Sequence, residues 1–588
     1  MLRGKRWEIA AADPARAEGL ARAFGLPLPV ARVLAARGFA CGDAAERFLH
    51  PRLSDLSDPF ALPDMEAAVA RTWAGIESGE RIAVFGDYDA DGVTGTAVLV
   101  SVLRRLGADA VPFLPNRMQD GYGLTRSALE RCLTEVRPGL IVTVDCGTGA
   151  AEPVAAAARR GVDVIVTDHH EPGRTAPPAV AVVNPNAGGA EDSRVLAGAG
   201  VAFKMCHALV KRGLDAASKR AGGLDLRDWL DVVAVGTVAD VAPLTGENRI
   251  LVRHGLNRLA RTKWPGLRAL KRAAGLKGSL DCYHLGFVIG PRINAPGRLG
   301  RAESALELLL VPENRPERAE ELAKELENAN RERKSIEGAI LEEAARELDR
   351  TFDPQTCYGV SAAREGWHVG TIGIVAARLC SRYYRPAAVI GLEESGYGRG
   401  SLRSIEELDL MEVLEACADL LESFGGHRLA AGIVLDRERV DEFRKRFNSL
   451  CAERLRGRDL RPVQRVAAPL GLGSLDRSFF EAVNRLRPFG IGNPEPVWCA
   501  RRVRVLGAPR TVGRDHAHLR MRVADGGTEM DAVGFGLGQR EVPEGELDIA
   551  FRVRENHYGG RPRLELHLKD FRRAGTDNHA PTNGCRTS

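Results

Sequence analysis

The chain reads Arg81-Ile82-Ala83-Val84-Phe85-Gly86-Asp87-Tyr88-Asp89-Ala90-Asp91-Gly92 at the point that decides its fold. The first five residues predict a short apolar strand, and the acidic stretch after Gly86 predicts a turn. The apolar run over 93–106 then predicts a helix. A strand that continues through a turn into a helix is half of a βαβ unit, so this stretch indicates a parallel sheet.

Sequence on the C-terminal side of this stretch repeats the pattern. Further buried strands are expected at 140–144, 162–166 and 179–183, with an alanine-rich helix over 153–160. Alternating strands and helices predict an α/β domain built on a parallel sheet.

The C-terminal half predicts three further regions. A long charged segment over 316–350 predicts a linker helix about 50 Å long, at 1.5 Å per residue. A smaller α/β region with glycine-rich turns follows, from 357 to about 458. Five short strands are then expected at 497–506, 518–523, 530–535, 547–554 and 564–568, with turns at Gly526-Gly527 and Gly559-Gly560. Five such strands predict a small β-barrel of the OB type.

We therefore expect six segments along the chain: an N-terminal helical segment (1–75), a catalytic α/β domain (76–315), a connecting helix (316–350), a second α/β domain (351–460), an OB-like barrel (461–574) and a disordered tail (575–588).

Composition excludes several classes of protein. The 588 residues carry a net charge of +5, which is too small to identify a nucleic-acid partner by itself. No transmembrane helix is expected, and the basic N-terminus lacks the apolar stretch of a secretory signal. The eleven cysteines form no C-x-x-C pair, which favours a cytoplasmic protein with reduced thiols. No Walker A or G-x-G-x-x-G motif is present, so no nucleotide cofactor is expected.

Acidic and imidazole side chains follow the predicted strands. Because ligands of an open α/β sheet bind outside the carboxyl ends of its strands, side chains that follow successive strands should converge. A single aspartate after a strand is more often a helix N-cap, but the joint pattern is different. The residues are Asp87, Asp89, Asp91, Asp145, Asp168, His169, His170 and, after the segment 230–239, Asp240.

A cluster of carboxylates without Lys or Arg in the same motifs needs a cation, since the charges repel one another at short distance. Hard divalent ions prefer oxygen ligands, and an imidazole among them favours Mn²⁺ over Mg²⁺. The number of candidate ligands exceeds the need of one ion. The sequence therefore predicts two divalent metal ions, Mn²⁺ or Mg²⁺, of the kind that catalyse phosphoryl transfer.

These acid motifs resemble the four motifs of the DHH phosphoesterase family, and most closely its single-strand-specific DNA exonucleases. The resemblance continues through motifs that extend to about residue 500: Gly198-Ala199-Gly200-Val201-Ala202-Phe203-Lys204, Ile293-Asn294-Ala295-Pro296-Gly297-Arg298-Leu299-Gly300, Gly366-Trp367-His368 with Gly370, Ile372 and Gly373, Gly400-Ser401-Leu402-Arg403-Ser404, Gly425-Gly426-His427 and Pro488-Phe489-Gly490-Ile491-Gly492-Asn493-Pro494-Glu495-Pro496. One departure is Cys146, where the family usually has Asn after the aspartate. The fold that the resemblance implies is a parallel-sheet DHH domain, a linker helix, a smaller DHH-associated domain and an OB-like barrel.

The resemblance also implies a role for each motif residue. The implied metal ligands, most of them also catalytic, are Asp87, Asp89, Asp91, Asp145, His169 and Asp240. His170 is implied to face the scissile phosphate, and Asp168 to hold an imidazole ring in place. The implied DNA or phosphate contacts are Asn294, Arg298, His368, Ser401, Arg403, Ser404 and His427. Trp367 is either a base-stacking residue or part of the core.

The barrel carries a run of basic residues, namely Arg501, Arg502, Arg504, Arg510, Arg514, Arg520 and Arg522. Single-strand binders combine such charge with aromatic platforms, and aromatic residues are scarce here. Taken alone, the sequence leaves DNA binding by the barrel open; the resemblance favours it.

Three functions remain to be compared. The resemblance implies a 5′-to-3′ exonuclease on single-stranded DNA that releases 5′-mononucleotides in repair and recombination, acts as a monomer away from membranes, and works with a single-strand-binding protein and a helicase. A DHH-family oligoribonuclease or cyclic-dinucleotide phosphodiesterase is the alternative, although such enzymes resemble only the first two domains. A non-catalytic scaffold would gain nothing from a repelling acid cluster.

Overall fold

A computed structural model describes residues 4–117, 119–173, 175–557 and 562–576. The expected turn at Gly559-Gly560 and the expected tail from 577 onward lie outside the described residues. The described chain forms two compact units. The parallel-sheet unit consists of Glu46–Arg333 together with Leu486–Pro494, and the barrel unit consists of the chain up to Ala45, Lys334–Arg485 and the chain from Glu495 onward.

The N-terminal segment 1–75, expected to be helical with breaks at Pro27, Pro29 and Pro51, begins with a strand and is divided between the two units. Its first elements are β1 (Arg6–Ile9), α1 (Pro14–Phe24), α2 (Leu28–Ala36) and α3 (Asp43–Leu49). Asp13 accepts the backbone N–H of Arg16 and so caps α1.

A five-stranded parallel sheet organises the parallel-sheet unit. Its strands are β2 (Arg81–Gly86), β3 (Asp109–Phe113), β4 (Leu140–Val144), β5 (Asp163–Thr167) and β6 (Ala181–Val183), in the order β3-β2-β4-β5-β6. This sheet confirms the predicted α/β fold. The sequence did not indicate β3, because Pro112 interrupts it; proline is tolerated there since β3 is an edge strand.

Helices enclose this sheet, and the most apolar of them pack on one another. The helices are α4 (Met65–Ser78), α5 (Ala90–Arg105), α6 (Arg126–Glu135), α7 (Ala151–Arg159), α8 (Gly198–Asp215), α9 (Lys219–Gly222), α10 (Leu230–Ala239), α11 (Gly246–Leu259), α12 (Pro265–Ala273), α13 (Cys282–His284), α14 (Gly290–Arg298) and α15 (Glu303–Leu310). A π-helical turn, Leu285–Ile289, joins α13 to α14. Helices α5, α8 and α10 contact one another and bury most of their side chains, which places the start of α5 and the end of α10 close together.

A single helix, α16 (Pro316–Thr351), leads out of the parallel-sheet unit and into the barrel unit, as the charged segment predicted. Leu322 and Leu326 are buried in the core of the first unit. Ile340 and Leu348 are buried in the core of the second.

The second α/β region contains β7 (Val360–Glu365), α17 (Val369–Tyr383), β8 (Ala387–Leu392), β9 (Tyr397–Arg403), α18 (Leu410–Glu415), β10 (Ser423–His427), β11 (Ala430–Asp436) and α19 (Val440–Leu455). Its sheet has the order β10-β11-β9-β8-β7, with β7 parallel to β8 and the other pairs antiparallel.

The barrel region contains β12 (Val463–Val466), β13 (Ala468–Pro469), α20 (Arg477–Arg485), β14 (Trp498–Val512), β15 (His518–Asp525), β16 (Thr528–Gly534), β17 (Leu547–Asn556) and β18 (Arg563–Arg573). The pairings run β14-β15-β16-β18-β17, and β17 returns to β14, so five strands close a barrel as predicted. N-terminal strand β1 pairs in parallel with β12. Among the described residues, no helix is long and apolar enough to cross a membrane.

One segment of the expected barrel domain belongs to the parallel-sheet unit instead: the loop Leu486–Pro494. The buried guanidinium of Arg249 donates to the carbonyl oxygens of Leu486 at 3.1 Å and Arg487 at 2.8 Å. Asn493 Nδ2 donates to Leu486 O at 2.8 Å. The backbone N–H of Leu244 donates to Ile491 O at 2.7 Å, so the loop is fixed to this unit through backbone groups.

Candidate metal centre

The acidic and imidazole residues lie at the carboxyl edge of the parallel sheet, each in a position that its element dictates. Asp87 follows β2, Asp145 follows β4, and the triplet Asp168-His169-His170 follows β5. Asp89 is the N-cap of α5 and accepts the N–H groups of Asp91 and Gly92. Asp240 is the C-cap of α10, the helix that packs against α5.

His169 lies at the centre of the cluster. Its Nε2 is 3.0 Å from Asp145 Oδ1, 3.8 Å from Asp240 Oδ2 and 3.9 Å from Asp91 Oδ2. Three overlapping groups each bring ligand atoms within 4.8 Å of one another: Asp145 with His169 and His170, Asp91 with His169 and Asp240, and Asp87 with Asp89 and Asp145. The structure therefore brings together all six residues that the resemblance implied as metal ligands.

Several ligand atoms of this cluster are buried without a hydrogen-bond partner among the described residues. They are both carboxylate oxygens of Asp87, Oδ1 of Asp145 and Nε2 of His169. Buried polar atoms are normally hydrogen-bonded, so four such atoms at one point need another partner. Carboxylate oxygens and an imidazole nitrogen are the donors that Mn²⁺ and Mg²⁺ accept.

The pKa values of the cluster also indicate that its residues suit divalent cations. Burial, reinforced by the charges of neighbouring aspartates, raises the pKa of Asp91 to about 7 and that of Asp240 to about 9. The same causes raise the pKa of Asp87 and Asp145 well above the ordinary value. Burial and the charge of His170 lower the pKa of His169 to about 4, which leaves its ring neutral, as metal coordination requires. These residues fit divalent cations.

Two glycine residues make room for the aspartate side chains of the cluster. A Cβ on Gly198 would lie 2.6 Å from the Cβ of Asp145, and one on Gly236 would lie 2.8 Å from Asp91 Oδ1. Because Gly198 begins α8, its N–H and that of Ala199 donate to the two carboxylate oxygens of Asp91, at 2.6 and 3.0 Å. The helix start thus orients a carboxylate of the cluster.

Asp168 belongs to none of the three ligand groups and holds His170 in place. Its Oδ1 is 2.7 Å from His170 Nδ1, and its Oδ2 accepts the N–H of Thr148 at 2.9 Å. Burial alone would raise the pKa of Asp168, but the hydrogen bond and charge of His170 together with the bonds from Thr148 hold it at about 2. The other ring nitrogen of His170, Nε2, is 2.9 Å from the hydroxyl of Tyr122.

Sequence reasoning missed three residues around this triplet. Asn184 Nδ2 donates to His170 O at 2.9 Å, and Asn186 Nδ2 donates to His169 O at 2.6 Å. Both follow β6, so the rule that found the acids at strand ends would also have found them. Arg117 follows the unpredicted strand β3, and its guanidinium lies 5.3 Å from the ring of Tyr88.

The two predicted DNA contacts of this unit lie beside the acidic turn. Asn294 Oδ1 accepts the backbone N–H of Ala90 at 2.6 Å, so this amide fixes the turn between Asp89 and Asp91. Arg298 is largely buried, and burial together with the charges of Arg117 and Arg333 lowers its pKa to about 10. Cys146 is buried, with its Sγ 4.0 Å from Phe85 O, and burial raises the pKa of its thiol.

The other predicted contacts lie in the barrel unit. Arg403 Nη1 donates to Ser401 Oγ at 3.1 Å and to Leu402 O at 2.7 Å. A Cβ on Gly373 would lie 3.3 Å from Arg403 Nη2, so this glycine gives the guanidinium room beside α17.

Two of the remaining predicted residues of that unit make local hydrogen bonds. Ser404 Oγ donates to Leu408 O, and His368 caps α17 by accepting the N–H of Gly370. His427 is exposed at the end of edge strand β10. Trp367 is buried and donates to Glu343, which decides in favour of the core.

Three family models match the chain. They are described as "DHH family, N-terminal domain" over residues 81–237, "DHHA1 domain" over 355–453 and "RecJ OB domain" over 466–570. The chain is 37% identical over 577 residues to the single-stranded-DNA-specific exonuclease RecJ of Bacillus subtilis, covering 97% of this chain and 71% of the relative.

Solved structures are similar over nearly the whole chain. RecJ of Thermus thermophilus in complex with Mn²⁺ superposes with a TM-score of 0.82 at 33% identity, covering 99% of this chain and 81% of the other. The same protein in complex with Mg²⁺ gives a TM-score of 0.74 at 31% identity, covering 97% and 79%.

Proposed function

The chain belongs to the RecJ family of single-stranded-DNA-specific exonucleases, and from this premise we propose that it cleaves phosphodiester bonds of single-stranded DNA with two divalent cations, Mn²⁺ or Mg²⁺. The observation that carries the proposal is the cluster of buried, unpartnered carboxylate and imidazole atoms at the carboxyl edge of the sheet. Two cations bound there would activate a water and neutralise charge on the reacting phosphate.

The residues of the cluster divide into ligands and orienting groups. Asp87, Asp89, Asp91, Asp145, His169 and Asp240 would hold the cations. Asp168 orients the ring of His170 through Nδ1 and so directs Nε2 outward, toward Tyr122, where a phosphate oxygen of the substrate can accept a hydrogen bond. Asn184 and Asn186 fix the backbone of the triplet, so the two rings keep their positions during turnover.

Each unit carries guanidinium groups suited to the phosphates of the substrate. Arg298 and Arg117 lie beside the acidic turn in the parallel-sheet unit. Ser401 and Arg403 form a hydroxyl and guanidinium pair in the barrel unit, a combination suited to phosphate oxygens. His368, Ser404 and His427 remain weaker candidates, since the first two already make local hydrogen bonds.

The barrel would provide a further contact to single-stranded DNA. Phe535 is 58% exposed, and the rings of His518 and His567 stand edge-on to it, each at 5.2 Å between centroids. Arg520 and Arg522 are exposed on β15, where Leu519, Met521 and Val523 point inward. An aromatic surface with flanking cations is the combination that single-strand binders use.

Finer features of the activity rest on the family resemblance. They are the 5′-to-3′ direction, the release of 5′-mononucleotides, a role in DNA repair and recombination, monomeric action, and cooperation with a single-strand-binding protein and a helicase. A cytoplasmic location is supported by the ten free cysteines among the described residues, which suit a reducing compartment.

Digestion of end-labelled substrates tests the proposal. Single-stranded DNA labelled at the 5′ or 3′ end, duplex DNA and short RNA would be incubated with Mn²⁺, Mg²⁺ or EDTA. We expect loss of the 5′ label first, from single-stranded DNA alone, and only with metal. Asp145→Ala should abolish turnover, while Asp215→Ala, an exposed acid at the end of α8, should not change it. Preferred cleavage of short RNA would instead favour the oligoribonuclease alternative.

A further inference from the structure

Two aromatic rings lie exposed and stacked on one another at the start of a helix in the parallel-sheet unit. Tyr283 is 63% exposed and Phe287 is 72% exposed. Their ring centroids are 5.2 Å apart with an interplanar angle of 26°. Aromatic residues make up only 5% of the chain, so two large rings held together in solvent at one point need an explanation.

The backbone under these rings is fixed. Asp281 and His284 form a reciprocal cap, in which each accepts the backbone N–H of the other. Leu285 and Ile289 of the π-helical turn are buried, which leaves the side chains of Tyr283 and Phe287 outward. Single π-helical turns inside helices occur frequently at functional sites. The pair is therefore a pre-formed surface that loses little entropy on binding.

The same helical run reaches the metal centre. From Tyr283 it continues through the π-helical turn into α14, where Asn294 holds the acidic turn by its bond to Ala90. A Cβ on Gly290 would lie 2.9 Å from the Cβ of Ala239, the residue before Asp240. Asn294 is seven positions after Phe287, which is about 10 Å along a helix axis at 1.5 Å per residue. That length corresponds to about three nucleotides at 3.4 Å per stacked nucleotide.

Positive charge lies next to the aromatic pair. Arg487 Nη1 is 3.8 Å from Asp281 Oδ2 at the start of the helix. Arg253 donates to Arg487 O, so a second guanidinium stands beside the first. Lys277 is exposed on the turn that precedes the helix. Cations together with exposed aromatic rings are the combination that binds the phosphates and bases of a single strand.

We propose that Tyr283 and Phe287 form a base-stacking platform for single-stranded DNA, about three nucleotides from the metal centre. The platform rests on the proposed exonuclease function and adds a determinant of substrate choice to it. Stacking on an aromatic face is tolerant of sequence, because every base has such a face. A base inside a duplex has both faces covered by its neighbours, so the platform favours single strands.

Fluorescence of 2-aminopurine, which stacking quenches, locates the platform. The full-length protein in EDTA would be mixed with decanucleotides that carry the probe at successive positions from the 5′ end. We expect quenching within about two nucleotides of the third position, and its loss in Phe287→Leu, which keeps apolar volume but has no ring. Phe287→Trp should restore it. Tyr397→Leu, at an aromatic residue that is 44% exposed in the barrel unit, is the matched control.

Kinetics separates stacking from a structural role. Phe287→Leu and Tyr283→Leu should each raise KM for the decanucleotide about tenfold with kcat unchanged, since each variant loses the stacking of one base. A dinucleotide is too short to reach the platform, so its kcat/KM should stay the same. An abasic site at the quenched position should remove the difference between variant and wild type.

Two outcomes overturn the platform, and they are distinguishable. A wild-type protein that digests single-stranded DNA, but whose KM does not respond to either substitution, excludes the platform and leaves the exonuclease function intact. A wild-type protein that fails to digest single-stranded DNA excludes both.

Discussion

Asp91, Asp145 and Asp240 lie beside one another in the fold, and burial together with the charges of neighbouring aspartates raises the pKa of each carboxyl group. Asp145 even occupies the left-handed region, with φ +63°, in order to reach this position. Such an arrangement stores unfavourable free energy in the metal-free protein. The cost has a measurable consequence in the dependence of stability on pH.

The metal-free protein should lose stability as pH rises. The folded-state pKa values of Asp91 (about 7) and Asp240 (about 9) lie above the ordinary 3.8, so the folded chain holds protons that the unfolded chain has released. The contribution of these two carboxyl groups to the free energy of unfolding therefore falls between about pH 4 and pH 9. Mn²⁺ replaces those protons, so the increase in Tm on adding Mn²⁺ should grow with pH. Thermal melts with EDTA or Mn²⁺ between about pH 4 and pH 9 measure this increase in Tm.

Asp240→Asn is the control for this pH dependence, since it removes one of the shifted groups and should flatten the slope of the EDTA series. If Mn²⁺ raises Tm by the same amount at every pH, the carboxyl groups with raised pKa are not the source of the pH dependence.

Arg403 should contribute equally to the binding of every single-stranded DNA sequence. A guanidinium on a phosphate contributes through charge, so Arg403→Ala should raise Kd for any single-stranded oligonucleotide and reduce the salt slope by about one ion. Arg403→Lys should recover only part of the affinity, because an ammonium cannot make paired contacts. A salt series of Kd measurements provides the test, with Mn²⁺ affinity measured separately by calorimetry. Unaltered affinity and slope in Arg403→Ala would assign this residue to the fold.

At the scale of elements, the start of α8 should be intolerant of any side chain. Gly198→Ala places a Cβ at 2.6 Å from the Asp145 side chain, so one of the two must move. We expect kcat to fall at least tenfold and Mn²⁺ affinity to weaken, while the circular dichroism spectrum stays unchanged. Gly223→Ala is the matched control, because a Cβ there would meet nothing within 4 Å. Equal activity of the two variants would argue against the tight contact.

Much of the architecture could be predicted because simple patterns determine it. Buried strands β2, β4, β5 and β6 are short apolar runs, and the barrel strands alternate apolar and polar residues, as β15 does. Strand β3 escaped prediction because Pro112 and Asp109 are atypical of strands. Arg117 was missed with it, since a residue at a strand end is found only when the strand is.

The candidate site could be predicted in part for the same reason. Acids at strand ends converge whenever the sheet is parallel, so Asp87, Asp145 and His169 were predictable as neighbours. The residues that support this cluster were not predictable, because the bonds of Asn186 to His169 and of Asn294 to Ala90 join distant segments. The catalytic and ligand roles of the individual residues, and the domain boundaries, stay predictions.

At the scale of the whole molecule, the barrel should govern how long the enzyme stays on its substrate. Phe535→Ala removes the exposed ring between His518 and His567 and leaves the metal centre unchanged. We expect fewer nucleotides released per binding event on long single-stranded DNA, by a few fold, and equal cleavage of a tetranucleotide. Single-turnover digestion with a trap for free enzyme measures the first quantity. Unchanged processivity would show that the ring does not contact DNA.

A truncation near Leu460 is a poorer test of the same idea. Such a chain would lack not only the barrel but also Leu486–Pro494, which belongs to the parallel-sheet unit. Arg249 would lose three of its carbonyl partners, and a buried guanidinium that loses its hydrogen bonds destabilises the fold.

The insertion of that loop sets an order of events during synthesis. Arg249 and the carbonyl of Leu486 are 237 residues apart in the chain, and β1 pairs with β12 across an even longer interval. A ribosome must therefore release nearly five hundred residues before the parallel-sheet unit receives its last segment. Until then, the guanidinium of Arg249 and the backbone N–H of Leu244 lack these carbonyl partners in the nascent chain. Such long-range closure slows folding and exposes the intermediate to chaperones.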